Sequence, residues 1–254
     1  MYHSPMTQAP LQHDAGAPEP GLVWDRVPKE KPRRERPTRD TVVAAAVALA
    51  DAEGLEAVSI RRVAAALGTR PMGLYAFFDR KDDLIDLMAD AVLAATVLPA
   101  LPGGWREGLS ALARATRDVS MAHPWLAAAA GTRVQLGPNA MRHFEQSLQA
   151  VSGLAASPET KLAVLRAVDT YALGHVQVSL AQHETLRREG LAPGQWRASA
   201  GAYLARLAAS GDYPCLAAIG TEAVLQDHDD GAAFETGLNW LLNGIAAETG
   251  PVTR

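Results

Sequence analysis

Arg70 and Tyr75, five residues apart just after Gly68, are of the types that grip anionic oxygens and purine edges. A guanidinium offers two parallel N–H donors that match O6 and N7 of guanine, worth ~1–3 kcal/mol of base discrimination. A phenol or an ammonium suits phosphate oxygens and fixes register without reading a base. Six of the eleven residues 29–39 are Lys or Arg, a run suited to a nucleic-acid backbone or a minor groove. Other chemistries lack their constellations. There is no G-x-S-x-G, P-loop or G-x-G-x-x-G, and His183-Glu184 is followed by Thr-Leu-Arg rather than completing H-E-x-x-H. His175 and His183 fall about 80° apart around one helix, too far to share a metal. His123 and His143 are isolated, and the single cysteine, Cys215, excludes an internal disulfide or a multi-cysteine zinc site. The expectation is a protein that is not an enzyme and uses no metal or cofactor.

The charge is uneven. The 254 residues sum to −4, but residues 26–81 carry +5 while residues 1–25 and 82–254 carry −3 and −6. A basic segment on an acidic body is the asymmetry of a protein that meets phosphates at one end. Apolar residues are 48% of the chain, aromatics only 6%, and alanine dominates, which favours an all-α fold. No uncharged apolar run reaches the ~18 residues needed to span a bilayer, and the N-terminus lacks a secretory signal pattern. A cytoplasmic protein with no membrane partner is expected.

The elements that must position those residues read as follows. Residues 1–36 form a Pro- and Gly-rich tail with a basic arm, expected to be disordered. Thr38 caps a helix that Gly54 ends. Ser59 caps a second, with Ile60, Val63, Ala64 and Leu67 on one face, ended by Gly68. Pro71 opens a third through Phe77. A fourth starts near Asp82 and Asp83. Further helices are expected over 105–123, 124–130, 138–153, 158–189, 195–209 and 230–249. This divides the chain into 1–36, a DNA-binding domain over 37–83 and a larger domain over 84–254.

The second and third helices, joined by a glycine turn, have the pattern of a helix-turn-helix, with Leu74 facing in and short or polar residues facing out. The stretch from Thr38 to Leu87 resembles the DNA-binding domain of the TetR family of bacterial repressors. The landmarks are Ala-Asp-Ala-Glu-Gly-Leu (50–55), Val-Ser-Ile-Arg-Arg-Val-Ala (58–64), Leu-Gly-Thr-Arg-Pro-Met-Gly-Leu-Tyr (67–75), Phe78, Lys81 and Leu84. The rest resembles a tetracycline-repressor-like ligand domain through His-Pro-Trp-Leu (123–126), Leu-Gly-Pro-Asn-Ala (136–140), Ala-Leu-Gly-His (172–175) and Phe-Glu-Thr-Gly-Leu-Asn-Trp-Leu-Leu-Asn-Gly (234–244). The resemblance implies a homodimeric repressor that binds a palindromic operator in double-stranded DNA and is released by a small-molecule effector. It implies DNA contacts at Ser59, Arg61, Arg70, Pro71, Met72, Gly73, Tyr75 and Lys81.

In the larger domain, Met121, Trp125, Asp169, His175 and Gln177 are the candidate effector contacts, being aromatic, thioether or polar groups in otherwise apolar patterns. Ala129 precedes Gly131-Thr132-Arg133, where metal-chelated drug binders of the family place a His, and Val178 falls where a carboxylate would help. Both departures argue against a magnesium-chelated ligand. The helix over 158–189 is apolar nearly all round, as expected of one buried on two sides. In the last helix Phe234, Leu238, Leu241 and Ile245 form one stripe, with Gly237, Trp240 and Gly244 beside it, left over for a second subunit. A helical protein–protein adaptor with no effector is the alternative reading.

Overall fold

The computed structural model describes residues 37–130, 135–190, 192–225 and 230–249; the basic arm lies outside them. Every regular element among the described residues is helical. Three α-helices, α1 (Arg39–Glu53), α2 (Ile60–Ala66) and α3 (Lys81–Leu93), surround a six-residue 3-10 helix, Pro71–Ala76. Then come α4 (Trp105–Ala122), α5 (Trp125–Ala130), α6 (Pro138–Ala150), α7 (Pro158–Glu189), α8 (Pro193–Ala209), α9 (Pro214–Ile219), α10 (Thr221–Leu225) and α11 (Asp230–Thr249).

The local signals act as their chemistry dictates. Thr38 Oγ1 accepts from Thr41 N at 3.2 Å and Ser59 Oγ from Arg62 N at 3.3 Å, capping α1 and α2. Gly68, at φ 60°, turns the chain out of α2, and the Thr69 N–H reaches back to Ala64 O at 2.9 Å. The third helix is narrower than expected: Pro71 opens it, but its bonds follow the 3-10 pattern and it ends at Ala76. At α3, the buried Asp83 carboxylate accepts from the Asp79 and Arg80 N–H groups at 3.1 and 3.2 Å, closing the helix start.

Two apolar cores form. The first joins Val42, Ala46, Val63, Leu74, Phe78, Leu84 and Met88, and also takes in Val119, Trp125 and Leu126 from α4 and α5. The DNA-side domain therefore shares its core with the beginning of the larger one, and α3 runs unbroken through 83–84. The second core packs α4 along α7 with α11 against them, through Leu109, Ala113, Val164, Val168, Phe234 and Leu238. Arg114 of α4 forks onto Glu235 of α11 at 2.6 and 2.7 Å, holding that carboxyl below the usual carboxylate range.

The inward stripe of α11 is Phe234, Leu238 and Leu242, so Leu242 takes the fully buried place expected of Leu241; Leu241 and Ile245 are half-buried beside it. Gly237 is also not left over. A Cβ there would overlap the Tyr171 hydroxyl and stand 3.0 Å from its ring, so its smallness lets α7 and α11 approach within one subunit. We expect Gly237→Ala, normally favourable in a helix, to destabilise the protein by about 1–3 kcal/mol in urea unfolding. An unchanged midpoint would show that the α7–α11 contact is looser than this.

Candidate functional site

Leu74 is buried and ties the 3-10 helix to the first core, while Pro71, Met72, Gly73, Tyr75 and Ala76 around it are exposed. In a 3-10 helix residues three apart eclipse, so Met72 and Tyr75 stand on one line and Gly73 and Ala76 on the next. The surface is a short ridge beside a smooth strip. Tyr75 also leans on Phe78, with ring centroids 6.4 Å apart.

The cations around this ridge divide in two. Arg62 pairs with Glu53 and reaches Ala57 O, and Arg80 binds Asp83 at 3.1 Å. Arg61, Arg70 and Lys81 are exposed and meet no partner among the described residues. They are the three cations that the family resemblance marks for DNA. Ser59 is half-buried at the start of α2, its oxygen engaged in the cap.

The effector candidates do not converge. Trp125 lies in the first core, and its Nε1 donates to Asp51 Oδ1 at 2.6 Å. His123 Nδ1 meets the same oxygen at 2.8 Å, so one carboxylate of α1 holds both sides of the α4–α5 corner. Met121 is half-buried two residues earlier. His175 stands edge-on to Phe234, with its Nε2 3.0 Å from Asp230 Oδ1, an oxygen that also accepts from Ser179. It belongs to the α7–α11 contact. Gln177 is exposed, about 160° around α7 from His175.

Asp169 differs from the rest. It is exposed on α7, in the part of the fold where α6 packs on that helix. Burial pushes its carboxyl up, against the pull of the His143 charge on α6. It has no hydrogen-bond partner among the described residues. On α6, Met141 and Phe144 are exposed apolar side chains in line with Leu148, which packs into the second core. The sequence marked His143 only as an isolated histidine and did not single out this apolar line, because Met and Phe at helical spacing look like ordinary core until the partner helix is known.

The sequence also did not reveal Asp90. Its buried carboxylate, on α3, accepts from the Asn139 and Ala140 N–H groups at 2.9 and 3.0 Å, and Asn139 Nδ2 donates to it at 3.1 Å. A Cβ on Gly137 would overlap that carboxylate. A groove of about 440 Å³, lined by Arg39, Val43, Val47, Leu87 and Asn139, runs beside this junction. Among the described residues no three His, Cys, Asp or Glu side chains group as metal ligands, and no helix is long and apolar enough to cross a membrane.

Fold and surface together define a helix-turn-helix DNA-binding regulator carrying a helical ligand domain. Residues 42–88 match the bacterial regulatory proteins of the tetR family, and residues 98–249 match the tetracyclin repressor-like C-terminal domain. The chain belongs to the TetR family of transcriptional repressors. It is 39% identical over 229 residues to the HTH-type transcriptional repressor DrrR1 of Streptomyces coeruleorubidus, covering 88% of this chain and 83% of that protein. Apo ActR from Streptomyces coelicolor superposes with a TM-score of 0.70 at 30% identity, covering 86% of this chain and 99% of ActR. ActR in complex with actinorhodin gives 0.69 at 31%, covering 84% and 98%.

The Asp169 carboxyl gives a pH test. Its value is raised on folding, so the folded protein keeps the proton to higher pH than the unfolded chain. The stability this confers is complete below the ordinary carboxylate value and is lost as pH rises through the raised one. Asp169→Asn should therefore melt higher than the parent at pH 8 and show no such gain at pH 3. A melting difference that is the same at both pH values would mean that the carboxyl is well solvated.

Proposed function

We propose that this chain is a cytoplasmic, non-catalytic repressor whose homodimer holds a palindromic operator and lets go when a small molecule enters the larger domain. The carrying observation is the set of exposed, partnerless cations Arg61, Arg70 and Lys81 around the Met72–Tyr75 ridge, next to arginines that are internally paired. Arg70 opens the ridge and is the base-reading candidate; Lys81, at the first turn of α3, is a phosphate contact. Ser59, Pro71, Gly73 and Tyr75 complete the surface.

The dimer uses what each subunit leaves uncovered. Trp240 is 72% exposed, and a Cβ on Gly244, one turn on, would meet nothing within 4 Å. On the outward side of α7, Ala163, Ala167, Thr170, Gly174, Val178 and Ala181 recur at helical spacing, a small-residue surface on which a large anchor can seat. Two such helices per subunit make a two-fold four-helix interface.

The effector is a small molecule that presents some apolar surface; the structural relative ActR is known in complex with the small molecule actinorhodin. Met141 and Phe144 of α6 meet its hydrophobic face, and Asp169, opposite His143, supplies a polar group to orient it. Displacing α6 disturbs its anchor on Asp90 and hence α3, and α3 carries Lys81 at its other end.

In a mobility-shift titration, Arg70→Ala should weaken specific binding by ~1–3 kcal/mol and relax preference at one base pair per half-site. Lys81→Ala should weaken binding to all duplexes and lower the salt slope by about one. Equal operator affinity for Arg70→Ala and the parent would move the reading surface elsewhere. In sedimentation, Gly244→Arg should leave the subunit folded yet monomeric, because the charge has open space in one subunit and none in the dimer. A Gly244→Arg protein that remains dimeric would place the interface on other helices.

A further inference from the structure

Met72 is 78% exposed, more than any other large apolar side chain among the described residues, and it projects from the part of the surface that is richest in unpaired cations. Leaving a thioether this far in water gains nothing for the fold. The first core closes beneath it through Leu74, Phe78 and Val63, and none of these needs Met72. Beside it, Gly73 has no side chain, although the chain itself does not require glycine there. Its φ is ordinary, and an added Cβ would stand at normal contact distance, 3.6 Å from Thr69 Oγ1. Gly73 and Ala76 thus keep open a strip along the ridge that the protein's own packing would allow to be filled.

An exposed apolar side chain flanked by cations and by a cleared strip fits the floor of a major groove. There the one apolar feature of the base edges is the 5-methyl group of thymine, while phosphates on either side meet the cations. The 3-10 geometry sharpens this. Met72 and Tyr75 eclipse one another, so with Tyr75 held against Phe78 toward the backbone, Met72 is carried at a fixed place along the groove. We propose that Met72 is a specificity-determining residue that selects thymine at one position of each half-site by packing on its 5-methyl group, and that Gly73 is small so that the base edge can come this close. The proposal rests on the DNA-binding reading above and adds a base identity to it.

The test uses the full-length protein and an operator recovered by selection from a random duplex pool. Each thymine of the half-site is replaced in turn, in both half-sites, by deoxyuridine, which removes only the methyl group. At one position the parent should lose about fifteen-fold in affinity, the product of two buried methyl groups at about four-fold each. Met72→Ala should bind the thymine and uracil duplexes equally. Arg70→Ala, weaker overall, should keep the full uracil penalty. Because Met72 is outside the core, circular dichroism of Met72→Ala should match the parent. Indifference of the parent to every thymine replacement, or a uracil penalty undiminished in Met72→Ala, would overturn the assignment while leaving DNA binding intact. Failure of the parent to select any duplex would overturn both this assignment and the DNA-binding reading.

Discussion

The carboxylate of Asp90 is the joint on which the arrangement of the two functional surfaces depends. A buried carboxylate is tolerated only when its oxygens are occupied, and here two backbone N–H groups at the start of α6 and the Asn139 amide occupy them. Hydrogen bonds to a charged group contribute about 1.5–3 kcal/mol each, and the positive end of α6 adds to them. The carboxylate lies on α3, whose opposite end is closed by Asp83 beside the cations of the DNA face. One helix thus has the helix-turn-helix at one end and the anchor of α6 at the other.

A second tie runs from α1. Asp51 takes the Trp125 indole and the His123 ring on one oxygen, so the corner between α4 and α5 cannot move without α1 or without stranding a buried indole donor. Two carboxylates and a shared apolar core thus tie the DNA-binding helices to the larger domain. Packed interfaces of this kind tend to have discrete arrangements, not a continuum.

Much of this was legible in the sequence. The bounds of α7 and α11 follow from Pro158, Gly190 and the apolar period, and the helix-turn-helix from Ser59, Gly68, Pro71 and Leu74. What escaped has physical reasons. The 3-10 form of the reading helix depends on bond pattern, which composition does not encode. Leu241 and Leu242 are adjacent, and only the direction of α7 decides which turns inward. Gly237 looked like a gap for a second subunit but fills a need within the first, because Tyr171 lies 66 residues earlier, on another helix. Trp125 and Gln177 were grouped with Asp169 by residue type, whereas the fold gives the first to Asp51 and turns the second outward. The roles of Asp51 and Asp90 do not show in the sequence, since their partners are distant in the chain. The short α9 and α10 carry too few residues for a period to show.

Those last two helices and α8 form a lobe between α7 and α11 in which no described residue is fully buried. Its helices touch mainly each other. Local opening free energy scales with the apolar surface that opening would expose, so this lobe is the low-lying unit of the molecule's own unfolding. Its amides would exchange with solvent through fluctuations that leave both cores closed. Mutational drift in the lobe is then nearly invisible to a global unfolding transition, and this part of the chain is free to diverge in sequence at little cost to the rest.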